Sequence, residues 1–290
     1  MIPTQAQFPL LRLLFGSVCI SFSPVFIKLA AVPPDTAGFY RMLFAGLSLT
    51  LLLLLRRENL KMARRPKFLL CFAGLFLAVD FMCWHRSIHL VGPGLSTLLG
   101  NFQVFFTALF SWLFLKQKIS TKFMLAVGLA LAGLLLITGI DWQGLEQGYK
   151  LGVVLGLLTA VLYSGYILLL KGAMNDGSVS GVPAMLLVSI PSMLLLAIVA
   201  PLNGASFAIP DSGSLLALIG VGVISTTIGW SLISSAIKHI PATLAGLILL
   251  LQPTLAMIWD VLFFGRPTGL YEVFGVLLIL SAIYIGSCRD

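Results

Sequence analysis

The sequence predicts an all-α integral membrane protein whose ten transmembrane helices form two inverted five-helix repeats. The chain of 290 residues is 59% hydrophobic and only 10% charged, with a mean hydropathy of +1.06, whereas soluble domains are about 25% charged. Its apolar runs reach the length of about 20 residues that a helix needs to cross the hydrocarbon core. The two halves of the chain also resemble each other, which indicates the repeat.

Apolar runs separated by short polar or Pro/Gly-rich breaks define the predicted spans. These runs are apolar on every side and do not alternate with a period of two, so a membrane β-barrel is excluded. The first run lacks a small-residue cleavage site and is as long as a full span, so we expect it to stay in the membrane and not to act as a signal peptide. The ten predicted spans cover residues 9–31, 36–55, 67–89, 93–115, 122–140, 150–171, 182–201, 213–236, 241–264 and 269–287.

The net charge of +8 indicates membrane topology, not nucleic-acid binding. With the N-terminus in the cytoplasm, 13 of the 18 Lys and Arg residues lie on the inner side, three on the outer side and two within spans. The positive-inside rule therefore predicts a multi-pass protein of the plasma (inner) membrane with both termini in the cytoplasm. The loop RRENLKMARRPK at 56–67 is expected to contact anionic lipids. The outer residues are Arg86, Lys150 and Arg266, and those within spans are Lys28 and Arg41.

The four cysteines carry no redox or metal motif. Cys19, Cys71 and Cys83 fall within spans and Cys288 lies at the last turn, without a C-x-x-C pair. We interpret them as small buried hydrophobic residues. No metal site and no cofactor is predicted, and the lack of a Walker A sequence excludes ATP as the driving force.

An internal repeat relates the two halves. The segment SIHLVGPGLSTLLGNFQVFFTALFSWLFL from Ser87 aligns with AIKHIPATLAGLILLLQPTLAMIWDVLFF from Ala236 at a constant offset of 149, and the first spans of the halves both end on a lysine, Lys28 and Lys171. Each half contains five spans, and because five is odd, the second half crosses the membrane upside down relative to the first. The predicted repeats cover residues 1–141 and 142–290.

Several motifs occur in a characteristic order: Arg41 within FYRMLFAGLSL, the small-residue segments VGPGLSTLL and IPATLAGLI, the pair Gln252 and Pro253, and glycine-rich fifth and tenth spans. Together with the five-plus-five organisation, they resemble the drug/metabolite transporter superfamily, and within it the ten-span EamA-type family, over essentially the whole chain. The resemblance implies secondary transport by alternating access, most often export. Many members carry a glutamate shortly after spans 4 and 9, where this chain reads LKQK and FGRP, so a gating role of that glutamate does not carry over.

Charged side chains within the spans predict an internal cavity. A charge that faces lipid costs at least ~2.5 kcal/mol, so Lys28, Arg41, Asp80 and Asp260 are expected to face a cavity or one another. The predicted topology places Lys28, Arg41 and Asp80 at a similar depth, in the outer half of the membrane.

The stretch DFMCWHRSIHL contains Asp80, Trp84 and His85, which occur in only one repeat. At an offset of 149 they correspond to a glycine, an isoleucine and a serine, so substrate or proton handling explains them more readily than construction of the repeat. Two structural alternatives stay open. Asp80 could form an ion pair with Lys28 or Arg41, and His85 could donate a hydrogen bond to a carbonyl of a neighbouring helix.

These residues predict a secondary active transporter, not an enzyme, for small polar metabolites such as amino acids or their derivatives. A zwitterion would place its carboxylate on the cations and its ammonium group on Asp80 and the aromatic faces. The expected partners are this solute, membrane lipids and a candidate coupling proton, with no nucleic acid. The alternatives are an intramembrane enzyme or redox protein, a channel or receptor-like binding protein, and a drug or nucleotide-type solute transporter of the same fold. The predicted cavity residues are Lys28, Arg41, Asp80, Trp84, His85, Asn101, Tyr163, Tyr166, Trp230 and Gln252.

Overall fold

A computed structural model of the protein describes residues 4–116, 120–138, 144–175, 179–237, 239–240 and 242–287. Within these ranges every regular element is a helix. The α-helices are α1 (Thr4–Ser21), α2 (Ser23–Leu29), α3 (Pro34–Arg56), α4 (Arg64–Val91), α5 (Pro93–Gly100), α6 (Gln103–Leu115), α7 (Thr121–Thr138), α8 (Gln147–Met174), α9 (Gly181–Leu202), α10 (Ser212–Ile219), α11 (Trp230–Ile237), α12 (Ala242–Leu249), α13 (Leu251–Phe264) and α14 (Leu270–Ser287), with a π-helix at Gly220–Gly229 between α10 and α11.

The helices confirm the predicted all-helical membrane protein. Within the described residues, eight helices, some of them built from two or three consecutive elements, are long and apolar enough to cross a membrane, and α7 and α14 are shorter apolar helices. Large apolar side chains also cover the outside of the bundle, such as Leu55 at 72% and Phe114 at 77% exposure. Such a surface suits contact with lipid acyl chains and not with water.

Three of the predicted spans are interrupted, which the hydropathy pattern did not indicate. The first bends at Phe22 between α1 and α2, where Pro24 has no backbone N–H to continue the helix. The fourth and ninth break between α5 and α6 and between α12 and α13. Adding 149 to the residue numbers that bound α5 gives the bounds of α12. Helices α6 and α13 both end before a residue in the left-handed conformation, Lys116 and Gly265 respectively. The two halves therefore break and end these helices at equivalent positions.

Helix α4 lies in the middle of the bundle and packs against α3, α8 and α9. Beside it, α3 packs against α9, α1 against the π-helix and α11, and α5 against α13. Helices α7 and α14 pair with each other. This arrangement buries polar residues of α3, α4 and α8 among apolar neighbours, which fixes the position of the candidate site.

The cysteines differ in their exposure. Cys83 is buried and Cys19 is half-buried, but Cys71 is exposed on the apolar surface of α4. The prediction that the cysteines are buried is therefore wrong for Cys71, because hydropathy alone does not distinguish a lipid-facing position from one in the core. Cys288 lies outside the described residues.

Close backbone contact between α7 and α14 leads to a stability prediction. A Cβ added at Gly133 would lie 2.7 Å from the Gly275 carbonyl oxygen, whereas one added at Gly128 meets no atom within 4 Å. We expect Gly133→Ala to lower the free energy of unfolding by about 1–3 kcal/mol, because the two backbones would have to separate. Thermal unfolding of the detergent-solubilised protein measures this, with Gly128→Ala as the matched control. Equal effects of the two substitutions would contradict the packing.

Candidate functional site

Arg41 of α3 is at the centre of the buried polar groups. Its Nε donates a hydrogen bond to Thr226 Oγ1 of the π-helix at 3.1 Å. Its guanidinium carbon lies 4.2 Å from the centroid of the Phe81 ring and 5.4 Å from that of Trp84, a cation–π arrangement. Its Nη1 is buried and has no hydrogen-bond partner. The guanidinium is therefore held along one edge and one face, and its terminal nitrogens are left unbonded.

Asp80 of α4 is 3% exposed, and its Oδ1 is also buried without a partner. It interacts electrostatically with Arg41, but in the part of the chain that the structure describes no salt bridge joins Asp80 to Arg41 or Lys28. The ion pair considered from the sequence is thus not formed in this conformation. Among the described residues, Asp80 Oδ1 and Arg41 Nη1 are thus both buried without a hydrogen-bond partner, and the two residues interact only through space.

His85 connects α4 to the start of α3 through a hydrogen bond. The side chain is fully buried, its Nδ1 lies 3.0 Å from the Pro34 carbonyl oxygen, and its ring stacks on Phe81 at a centroid distance of 5.3 Å. Because a carbonyl oxygen only accepts, we assign the proton to Nδ1. This is the packing alternative considered from the sequence. The other ring nitrogen, Nε2, is a buried acceptor without a partner.

Aromatic residues of α8 and α11 complete the cluster. Tyr163 and Tyr166 have ring centroids 5.2 Å apart, and both interact electrostatically with Arg41. The Tyr166 hydroxyl donates to the Met185 sulfur at 3.4 Å, and the Trp230 side chain lies beside the Tyr163 hydroxyl. The structure thus brings Asp80, Trp84, His85, Tyr163, Tyr166 and Trp230 together around Arg41.

The other three predicted cavity residues lie in different surroundings. Lys28 Nζ lies 4.6 Å from the centroid of the Phe264 ring. Asn101 Nδ2 donates to the Thr97 carbonyl of its own helix turn at 2.8 Å. Gln252 is half-buried on α13. None of the three has a hydrogen bond or ion pair to Arg41 or Asp80 within the described ranges.

A cavity of about 330 Å³ leads from one end of the bundle towards this cluster. Arg56, the last residue of α3, Glu58, which follows α3, and Ser180, which precedes α9, lie at its mouth, where Ser180 donates a hydrogen bond to Glu58. Thr226 and Trp230 line its inner part. The mouth is on the end of the molecule that carries the basic 56–67 loop, called the basic end below. Further hydroxyl groups of the lining come from Ser231, Ser234 and Ser235.

At the opposite end, α3, α4 and α9 are joined by a polar cluster, called the seal below, in which half-buried Arg86 and exposed Asn203 surround the buried Asp35. Arg86 donates to both Asp35 carboxylate oxygens, at 2.5 and 2.7 Å, and Asn203 Nδ2 donates to Asp35 Oδ2 at 2.8 Å. The Asp35 side chain is 2% exposed. Beside the seal, the Tyr40 hydroxyl donates to the Phe207 carbonyl oxygen at 2.8 Å. The helices are therefore closed together at this end.

The second aspartate within a span, Asp260, has hydrogen-bond and ion-pair partners. Its Oδ2 accepts from the Gly94 backbone N–H at 3.0 Å and from Arg266 Nη1 at 3.4 Å. Arg266 also donates to the Val91 carbonyl at 2.5 Å and to Glu272 at 2.6 Å. Asp260 thus faces a partner, as expected, and connects α13 to the start of α5, away from Asp80.

The sequence profile of the EamA-like transporter family matches the chain twice, over residues 7–139 and 150–288. The chain belongs to the EamA-like transporter family. The resemblance inferred from the motifs is thereby confirmed.

Individual EamA-like proteins are similar along nearly the full length. The uncharacterized transporter YcbK of Bacillus subtilis (strain 168) is 28% identical over 284 residues, which cover 91% of this chain and 87% of YcbK. The pseudopaline exporter CntI of Pseudomonas aeruginosa (strain UCBPP-PA14) is 24% identical over 266 residues, 90% of this chain and 88% of CntI. A solved crystal structure shares the fold with a TM-score of 0.68 at 16% identity, covering 95% of this chain and 94% of that one. YcbK is named as a transporter and CntI as an exporter.

Sequence reasoning missed the seal and the contact between Thr226 and Arg41. Arg86 was assigned to the outer surface, and Thr226 was one of many hydroxyl residues whose usual role is helix packing. The sequence did contain a signal for the seal. Asp35 is a charged residue directly after two prolines that start a helix, and Arg86 is a second charged residue on the helix of Asp80. No sequence signal indicated the π-helix that carries Thr226.

Proposed function

We propose that this EamA-like protein is a secondary active transporter that exports a small polar metabolite, an amino acid or a close derivative, by alternating access. One observation carries the proposal: a cavity open at the basic end leads towards buried, unpaired charges, while the opposite end is closed. A bundle that had only to be stable would pair or exclude such charges, because an unpaired buried charge is costly. A solute that supplies the missing partners explains why they are kept.

Inverted repeats at 1–141 and 142–290 are the second part of the proposal. Several contacts support it, because they recur when each span is exchanged for the one five further along. The packing of α4 against α8 corresponds to the packing of the π-helix and α11 against α1. At the level of side chains, Thr159 approaches the Asp80 carbonyl at 3.5 Å, and a Cβ at Gly16 would lie 2.9 Å from the carbonyl oxygen of Gly229, which is the equivalent of Asp80. Two pseudo-equivalent halves can exchange conformations across the membrane.

The two ends of the molecule support alternating access, since equivalent helix ends meet at the seal on one side and beside the cavity on the other, where Ser180 donates a hydrogen bond to Glu58. The seal joins the start of α3, the end of α9 and Arg86 of α4. Its counterpart at the basic end consists of the start of α9, the end of α3 and Ser235, which corresponds to Arg86 at the offset of 149. Ser235 lines the open cavity. Breaking the seal and closing the basic end would convert this conformation into its opposite.

The proposed solute is zwitterionic. Arg41 offers unbonded N–H groups to a carboxylate, and Asp80 offers an oxygen to an ammonium group, so a neutral zwitterion leaves no net charge in the site. Export is supported by the name of CntI as an exporter. Asp80 is also the candidate carrier of a coupling proton, since it has no ion-pair partner.

The proposed orientation is that of a plasma (inner) membrane protein with both termini and the basic end in the cytoplasm, where the 56–67 loop contacts anionic lipids. The open cavity then faces the cytoplasm, which is where an exporter takes up its solute. The seal then lies on the outer side.

Counterflow in proteoliposomes tests the proposal. Liposomes are loaded with one unlabelled amino acid at a time, and uptake of the same labelled amino acid is followed. We expect at least one amino acid or amino-acid derivative to give saturable, transient accumulation that protein-free liposomes lack. Flux that is linear in solute concentration would indicate a channel, and no flux with any solute of the panel would overturn the proposed substrate class.

A further inference from the structure

The π-helix sets the orientation of Thr226 and Thr227. The Thr226 hydroxyl donates to the Val221 carbonyl at 2.8 Å and the Thr227 hydroxyl to the Gly222 carbonyl at 3.2 Å, both across five residues. Threonines in an ordinary α-helix bond three or four residues back. Thr226 and Thr227 face α3, where Thr226 contacts Arg41 and Thr227 lies 2.6 Å from the Ser48 hydroxyl.

The single hydroxyl proton of Thr226 is donated to the Val221 carbonyl oxygen. The lone pair of the same oxygen accepts from Arg41 Nε, and the residue is 5% exposed. Among the described residues, no hydrogen bond uses a terminal nitrogen of Arg41. The Phe81 ring covers one face of the guanidinium. The edge formed by Nη1 and Nη2 is left for a ligand. Arg41 lies directly behind the cavity lining, since Thr226, which accepts from its Nε, is a lining residue.

We propose that the free edge of Arg41 is the subsite for the carboxylate of the solute, and that Thr226 is the positioning residue that presents this edge to the cavity. The proposal rests on the proposed transport function. A guanidinium edge binds a carboxylate through two parallel N–H donors, and the fixed plane supplies directional specificity that a lysine lacks. A phosphate dianion fits less well, because Asp80 would leave an excess negative charge in the same site.

Ligand-induced thermal shifts and counterflow test this inference on the full-length protein. Each of the twenty L-amino acids is compared with its α-amide, which keeps the size and the ammonium group but loses the carboxylate. We expect an amino acid to stabilise the wild type and its amide to do so at about tenfold higher concentration or not at all. Thr226→Val should raise the KM of counterflow about tenfold with a smaller change in the maximal rate, and Thr226→Ser, which keeps the acceptor, should stay close to the wild type.

Thr227→Val is the matched control, because Thr227 makes the same five-residue hydrogen bond next in sequence but contacts Ser48 and not Arg41. Its KM should be unchanged. If Thr226→Val does not fold, Thr226→Ala removes the same acceptor without added bulk. Equal binding of amino acid and amide, equal effects of Thr226→Val and Thr227→Val, or a shift with inorganic phosphate but with none of the amino acids would each overturn the inference. Transport without discrimination between acid and amide would overturn it while leaving the transport function intact.

Discussion

Replacing Asp80 by asparagine is expected to lower the maximal rate of transport at least about tenfold without lowering thermal stability. The carboxylate is buried, its Oδ1 has no hydrogen-bond partner among the described residues, and no salt bridge to it is formed there, so its charge is a cost to the folded state that a neutral amide of the same size removes. The same substitution removes the charge that would bind an ammonium group or a proton. Counterflow in proteoliposomes and thermal unfolding in detergent measure the two effects separately.

Asp260→Asn is the matched control, since Asp260 is equally buried but bonded to Gly94 and Arg266. We expect this substitution to lower the free energy of unfolding by about 2 kcal/mol, because it weakens charge-assisted hydrogen bonds. Gly229→Ala, at the repeat equivalent of Asp80, is an unsuitable control because the added Cβ would lie 2.7 Å from Ile20 of α1. If the Asp80→Asn protein folds and transports at the wild-type rate, Asp80 does not bind the solute or the coupling proton and has only a structural role beside the site.

Arg86→Gln is expected to produce the second large effect, an increased population of the conformation that is open at the sealed end. The substitution removes both charge-assisted bonds to Asp35 and leaves that carboxylate buried with Asn203 as its partner. The substitution therefore destabilises the conformation that is closed at the seal by about 2 kcal/mol. A shift of this size changes the ratio of the two conformations by more than tenfold. Thiol labelling of a cavity position from the outer side of sealed vesicles measures it.

Arg266→Gln is the control for Arg86→Gln. Arg266 is also bonded to a buried aspartate, but it connects the segment after α13 to the last residue of α4 and to α14, outside the seal. It should lower stability without increasing labelling from the outer side. Equal increases for both substitutions would indicate general loosening of the bundle and would exclude a specific role of the seal.

The sequence was sufficient to predict the all-helical membrane protein and to place Arg41 and Asp80 within apolar helices. Hydropathy follows the length of each helix, and the high cost of a charge in lipid makes each charge within a span informative. The offset of 149 also relates the breaks after α5 and α12, although the sequence did not predict the breaks themselves. These features depend on local composition or on the comparison of the chain with itself.

The features that the sequence did not predict depend on contacts between segments that are distant in the chain. The Phe81 and Trp84 rings bind Arg41, although Trp84 was expected to face the solute, because that pairing depends on how α3 crosses α4. Lys28 matched Arg41 in predicted depth but lies against Phe264, since depth in a membrane does not specify the direction in which a helix faces. The π-helix that orients Thr226 follows no hydropathy signal.

The most direct test of alternating access is the accessibility of one cavity position from each side of the membrane. Ser231 lines the cavity, and Ser231→Cys in a protein whose four native cysteines are replaced provides a single thiol for a membrane-impermeant methanethiosulfonate reagent. The account predicts fast labelling from the basic end in wild-type background, slow labelling from the opposite side, and at least about tenfold faster labelling from that side in the Arg86→Gln background. Fast labelling from both sides in the wild-type background, or none from the opposite side even with Arg86→Gln, would contradict it.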